Sequence, residues 1–162
     1  IKNIILDNLV NVSQINAIHG DFCFSNIMVG KNKKTDNLLI KCIDPRGRFG
    51  DEGIYGDPLY DYAKLSHSYS GGYEYIIYDK FKVDYNLPLN EFTIRFSNNN
   101  LDNVTKIFEN NLKVNKSFCK LVEGLIFIGM CSRHYDSEQR QLVMYLNGVR
   151  LLNEVLGNEK LQ

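Results

Sequence analysis

The stretch Ser117 to Ser132 is apolar nearly all round when wound into a helix. Such a helix has no solvent face and has to sit at the centre of a core, with other elements wrapped about it. The flanking segments supply them. After Asn98-Asn99-Asn100, residues Leu101, Val104, Ile107, Phe108 and Leu112 fall on one helical face. Asp136 is placed to cap a last helix with the apolar stripe Leu142, Val143, Leu146, Val149, Leu152 and Val155. Upstream, Asp57-Pro58 reads as an N-cap followed by proline at the first helical position. This opens a helix through about Tyr69 that Gly71-Gly72 ends. Ile1, Ile5, Leu9 and Val12, supported by Ile4, place a further helix at the start, interrupted at Ser13 to Asn16.

Strands are expected in two places. Ile27-Met28-Val29 and Leu38 to Ile43 flank the polar turn Gly30 to Asn37, the pattern of a β-hairpin. Phe81, Val83 and Tyr85 alternate, as do Phe92, Ile94 and Phe96, around Asn86 to Asn90, which predicts a second hairpin. Asp44 to Gly56, rich in Gly, Pro, Arg and Asp, reads as a long ordered loop. The expected class is α+β and mostly helical, with one domain over residues 1–162. A chain of that length buries roughly two thirds of its unfolded surface.

Charge narrows the partners. Lys plus Arg and Asp plus Glu both number 19, so no net field draws the chain to nucleic acid or to an anionic membrane. Cys23, Cys42, Cys119 and Cys131 show no CxxC spacing and lie in apolar runs, which predicts buried, unpaired thiols in a reducing compartment. The longest apolar stretch, Gly124 to Met130, is too short to span a bilayer and no basic leader precedes a hydrophobic segment. A cytoplasmic location without membrane insertion is therefore expected.

Chemistry concentrates in one constellation. His19-Gly20-Asp21 is followed by four residues and Asn26, and Asp44 comes at the far end of the first hairpin. A hairpin brings its ends together, so Asn26 and Asp44 are expected to face each other with Asp21 on the adjoining loop. Phosphoryl transfer from a nucleotide needs a carboxylate to orient and deprotonate the attacking hydroxyl, plus oxygen ligands that hold Mg²⁺ against the phosphates. Asp21, Asn26 and Asp44 are groups of those kinds. Magnesium keeps several waters and takes one or two protein carboxylates, so Asp44 with Asn26 is an adequate set.

The run His19-Gly20-Asp21-Phe22-Cys23-Phe24-Ser25-Asn26 resembles the catalytic loop of the aminoglycoside phosphotransferase and choline kinase family, which is related to protein kinases. Ile43-Asp44 resembles that family's metal-binding strand end, and Gly56-Asp57-Pro58-Leu59-Tyr60-Asp61-Tyr62-Ala63 its Gly-Asp-Pro-x-x-Asp-Leu-Ala helix start. The resemblance covers Ile18 to about Leu65, and the later helices are compatible with the helical C-terminal lobe of a protein-kinase-like fold. It implies that Asp21 is the catalytic base, that Asn26 and Asp44 bind metal, and that Asp61 anchors the catalytic loop. The implied activity is ATP-dependent transfer of a γ-phosphoryl group to a hydroxyl of a small molecule, with GTP as another possible donor. Ile43-Asp44-Pro45-Arg46-Gly47 and Tyr60-Asp61-Tyr62-Ala63-Lys64-Leu65-Ser66-His67-Ser68 are similar to predicted phosphotransferases of bacterial capsule and surface-polysaccharide synthesis, implying a sugar, polyol or choline-like acceptor.

Pro45 stands where the wider family often has an aromatic residue, and Arg46 and Arg48 add positive charge beside the expected phosphate site. No Gly-rich phosphate-covering hairpin and no strand lysine precede His19, so the nucleotide-covering lobe is expected outside this chain, which opens on Ile1. Two other classes remain open. One is a metal-dependent phosphohydrolase using His19, Asp21, Asp44 and Asp57; the other is a non-catalytic kinase-like interaction module. His19, His67 and His134 read as structural histidines, Asp57 as a helix cap, and Cys23 as a small buried hydrophobe.

Overall fold

A computed structural model describes residues 15–48, 50–51, 53–89, 91–97, 101–112 and 114–158. The helix expected at residues 1–12 lies outside these. The described residues form an α+β protein with small antiparallel sheets. Its contacts divide it into two compact units, Ile1–Leu65 and Ser66–Gln162, the division falling inside a helix.

In the first unit, strand β1 (Asn16–Ala17) pairs antiparallel with β4 (Tyr55–Gly56), a two-residue ladder that the sequence did not signal. Between them lies the expected hairpin, β2 (Ile27–Lys31) with β3 (Leu38–Cys42), in the register Ile27↔Cys42 to Lys31↔Leu38. Both faces of this ribbon meet solvent: Met28, Val29, Leu38, Leu39 and Ile40 are all exposed. Cys42, expected to be buried, is exposed for the same reason, while Cys23 and Cys119 are buried; all four thiols are free. Helix α1 (Leu59–Tyr69) starts as its sequence requires. Asp57 Oδ1 accepts from the Leu59 N–H at 2.8 Å, which makes Asp57 the N-cap and Pro58 the first helical residue.

The second unit begins within α1, at Ser66. The helix closes through Ser70 and Gly71, whose N–H groups both donate to Ser66 O. Gly72 then takes φ +69 and opens a short helix, α2 (Tyr73–Ile77), in a stretch to which the sequence assigned no element. Beyond it β5 (Phe81–Asn86) and β6 (Glu91–Phe96) form the second hairpin. Its period-2 pattern has a visible cause: Phe81, Val83, Ile94 and Phe96 pack on the buried core of Ile76, Phe127, Val143, Met144 and Leu151.

Helices α3 (Leu101–Asn111), α4 (Lys116–Met130) and α5 (Glu138–Asn158) complete the unit. Helix α4 is the central helix, burying Cys119, Leu121, Gly124, Ile126 and Phe127. It also buries a carboxylate. Glu123 is 1% exposed and accepts from Ser66 Oγ at 2.5 Å through Oε2. Burial pushes its carboxyl up to about 7, against the opposing pull of the Ser66 hydroxyl and the Arg150 and Lys120 charges.

Two expectations for α5 need correction. Ser137, not Asp136, caps it: Ser137 Oγ accepts from the Arg140 N–H at 3.3 Å, whereas Asp136 pairs with the Arg140 guanidinium. The inward face comprises Val143, Met144, Asn147, Gly148, Leu151 and Val155, leaving Leu142 exposed. This face is set by a close approach that hydropathy does not report. A Cβ on Gly148 would stand 2.9 Å from Gly124 O, so two glycines let α4 and α5 touch backbone to backbone. In addition, Asn147 Nδ2 donates to Gly71 O at 2.9 Å, which draws a polar residue inward.

Candidate active site

The loop from Ile18 to Asn26 is held by a set of hydrogen bonds to distant parts of the chain. Asp61, on the first turn of α1, accepts from two successive backbone donors: His19 N to Oδ2 at 2.7 Å and Gly20 N to Oδ1 at 2.8 Å. A carboxylate collects adjacent N–H groups only if the chain bends sharply there, and Gly20 supplies the bend with φ +75. The His19 ring braces the other side. Its Nε2 donates to Ile43 O at 2.9 Å and its Nδ1 accepts from the Asp21 N–H at 3.4 Å, a pair of roles that selects the Nε2–H tautomer. The His19 carbonyl accepts from Arg46 N, which closes the loop onto the segment after β3.

Asp21 and Asn26 are brought together directly. Asn26 Nδ2 donates to the Asp21 carbonyl at 2.8 Å across a 3-10 turn at Phe24–Asn26. That assignment of the amide keeps Oδ1 as the acceptor atom of the side chain. Asp44 is joined to them through its neighbour. Ile43 N donates to Asn26 O at 2.9 Å, one step beyond the Ile27↔Cys42 pair, so both polar groups of Ile43 are engaged by the loop. Asn26 thus lies opposite Ile43, and Asp44 follows at the strand end, exposed and with φ +58. Aspartate is among the few residues other than glycine that tolerate this left-handed geometry, which Asp36 and Asp79 adopt as well.

The sequence reading missed one charged group here. Lys64 Nζ lies 2.9 Å from Asp21 Oδ1, with the lysine side chain 3% exposed and that of Asp21 36% exposed. Its only signal in the sequence is its spacing, three residues after Asp61 and so on the same helical face. The two arginines diverge. Arg46 is half-buried, with Nη1 3.5 Å from the Tyr60 hydroxyl, while Arg48 turns away to Gly50 O and Asp51.

Asp44 offers an exposed carboxylate and Asn26 an amide oxygen, each a ligand type that magnesium accepts while keeping water. Among the described residues no three His, Cys, Asp or Glu side chains gather into a metal cage. Of the residues a phosphohydrolase centre would use, the His19 Nε2 donates to Ile43 O, and Asp57 Oδ1 accepts from the Leu59 N–H. No helix among the described residues is long and apolar enough to cross a membrane. No family model matches this chain, and neither a curated protein nor a solved structure does.

Proposed function

We propose that this chain carries the base and metal-binding half of a phosphotransferase site acting on a hydroxyl of a small molecule, within a protein-kinase-like C-terminal lobe. The observation carrying the reading is the hydrogen-bonded frame in which one loop fixes Asp21, Asn26 and the approach to Asp44. Asp61 and His19 clamp the loop, and the Asn26 amide ties its end to Asp21. Phosphoryl transfer makes little covalent demand on a protein, and catalysis consists of positioning and charge stabilisation. A frame built for position is what that chemistry requires.

In this mechanism Asp21 accepts the proton of the acceptor hydroxyl as its oxygen bonds to the γ-phosphorus. The bond from phosphorus to the bridging oxygen breaks, and the nucleoside diphosphate leaves in line. Asn26 Oδ1 and the Asp44 carboxylate would hold Mg²⁺, which offsets the charge developing on the phosphates. ATP is the proposed donor, with GTP, which carries the same triphosphate, as the alternative. The acceptor is a sugar, polyol or amino alcohol.

The test is Asp21→Asn, assayed for phosphate transfer from ATP to a panel of sugars and amino alcohols. Transfer should fall by about 10²- to 10⁴-fold while the variant still folds, at a lowered melting temperature because the buried Lys64 ammonium loses its countercharge. Unimpaired transfer would sink the reading.

A further inference from the structure

We propose that Lys64 is a positioning residue for the phosphoryl-transfer step, fixing which oxygen of Asp21 meets the acceptor; this rests on the reading of Asp21 as the base. A lysine side chain only 3% exposed is exceptional, because an ammonium group leaves water at a cost of several kcal/mol unless charged or polar partners replace the lost hydration. Asp21 Oδ1, 2.9 Å from Nζ, is such a partner.

The geometry gives the pair a direction. Lys64 approaches from the buried side, while Asp21 keeps about a third of its side chain in solvent. An aspartate carboxylate rotates readily about its last torsion. With Oδ1 held by the ammonium group, that rotation is arrested and Oδ2 becomes the oxygen offered to an incoming hydroxyl. The backbone beneath is pinned independently, since the Asp21 carbonyl accepts from Asn26 Nδ2 and from Cys23 N. One helical face therefore grips the loop with two opposite charges. Asp61 takes the backbone donors of His19 and Gly20, and Lys64, less than one turn later, takes the carboxylate of Asp21.

A lysine that merely docked the loop would affect folding and nucleotide binding along with rate. One that orients Asp21 acts on the transfer step through that residue alone. In the complete protein, Lys64→Met should lower kcat about ten- to a hundredfold, with KM for ATP within about twofold and no loss in melting temperature. Lys64→Gln, which keeps an N–H donor for Oδ1, should recover part of the loss. In the Asp21→Asn background, measured in single turnovers, Lys64→Met should cost nothing further, because residues acting as one unit are not additive.

Unchanged kcat in Lys64→Met beside an inactive Asp21→Asn overturns the role of Lys64 and leaves the base reading intact. An active Asp21→Asn overturns both. A loss of equal size in the two backgrounds also overturns the proposal, since Lys64 would then act elsewhere. Should Lys64→Met fail to fold, Lys64→Gln decides: a reduced kcat whose deficit disappears in the Asp21→Asn background supports the role, and an unchanged kcat overturns it.

Discussion

Residues 15–65 and 66–158 are held together by different forces. The second unit has an apolar core on which α2, the second hairpin, α4 and α5 converge, with Ile76, Phe127, Val143 and Met144 all fully buried. Among the described residues the first unit buries little that is apolar, chiefly Cys23, Ala63 and Leu65, and both faces of its hairpin are wet. Among the described residues its order comes from polar contacts converging on one loop, through Asp61, His19 and Asn26. Apolar packing is non-directional and sums over area, whereas hydrogen bonds and ion pairs specify angle and distance. The chemistry proposed here needs fixed positions, and the groups that would perform it lie where position is specified by polar contacts.

The largest effect is expected at Phe127. Its ring lies 4.3 Å from that of His67, and a Cβ on Gly71 would stand 2.4 Å from its edge. Phe127→Ala should cost about 3–5 kcal/mol in chemical denaturation. A loss below about 1 kcal/mol would mean that the second unit is not organised around its apolar core.

The next largest effect concerns the carboxyl group that α4 buries. Glu123 has its carboxyl raised from 4.5 to about 7, so between these values the folded protein keeps a proton that the unfolded chain releases. Stability should therefore fall as pH rises from 4.5 to about 7, by up to about 3 kcal/mol, and level off above. Melting temperatures across that range should lose this slope in Glu123→Gln; an identical slope in the variant would show that Glu123 is not its source.

The smallest effect sharpens the contrast from the other side. Asp61→Ala leaves the His19 and Gly20 N–H groups without their acceptor, at a cost of about 2 kcal/mol. Hydrogen exchange at those two amides should accelerate while the amides of α4 keep their protection. Unchanged exchange at His19 and Gly20 would remove Asp61 as the organiser of the loop.

Local signals were legible in the sequence, and contacts between distant elements were not. Asp57-Pro58 announces its helix because capping depends on neighbours two residues away. The second hairpin could be read because one of its faces is buried, which imprints the alternation of Phe81, Val83, Ile94 and Phe96. Helix α5 was seen but its buried face was misjudged, because the approach of Gly148 to Gly124 joins residues far apart in the chain and involves no apolar side chain at either position. Its cap was displaced by one residue, since Asp136 and Ser137 are equally good acceptors and the Arg140 pairing claims the aspartate. Of the candidate site, spacing brought Asp21 and Asn26 together, as their hydrogen bond does, whereas Asp44, expected to face Asn26, lies one position past Ile43, the residue opposite it; the anchoring role of Asp61 came from family resemblance. Lys64 escaped because a lysine in a helix is by default a solvated one, and nothing in its local sequence marks a partner 43 positions upstream.

The ribbon of β2 and β3 also governs how the protein behaves in a tube. It presents Met28, Val29, Leu38, Leu39 and Ile40 to water and has two strand edges, the kind of surface that lets chains stick to one another as they are concentrated. Its brake is the charged tip, where Lys31, Lys33, Lys34 and Asp36 cluster within six residues. Solubility should therefore depend on keeping those charges, and polar replacements at Val29 or Ile40 offer a way to raise the working concentration without touching the loop that holds Asp21.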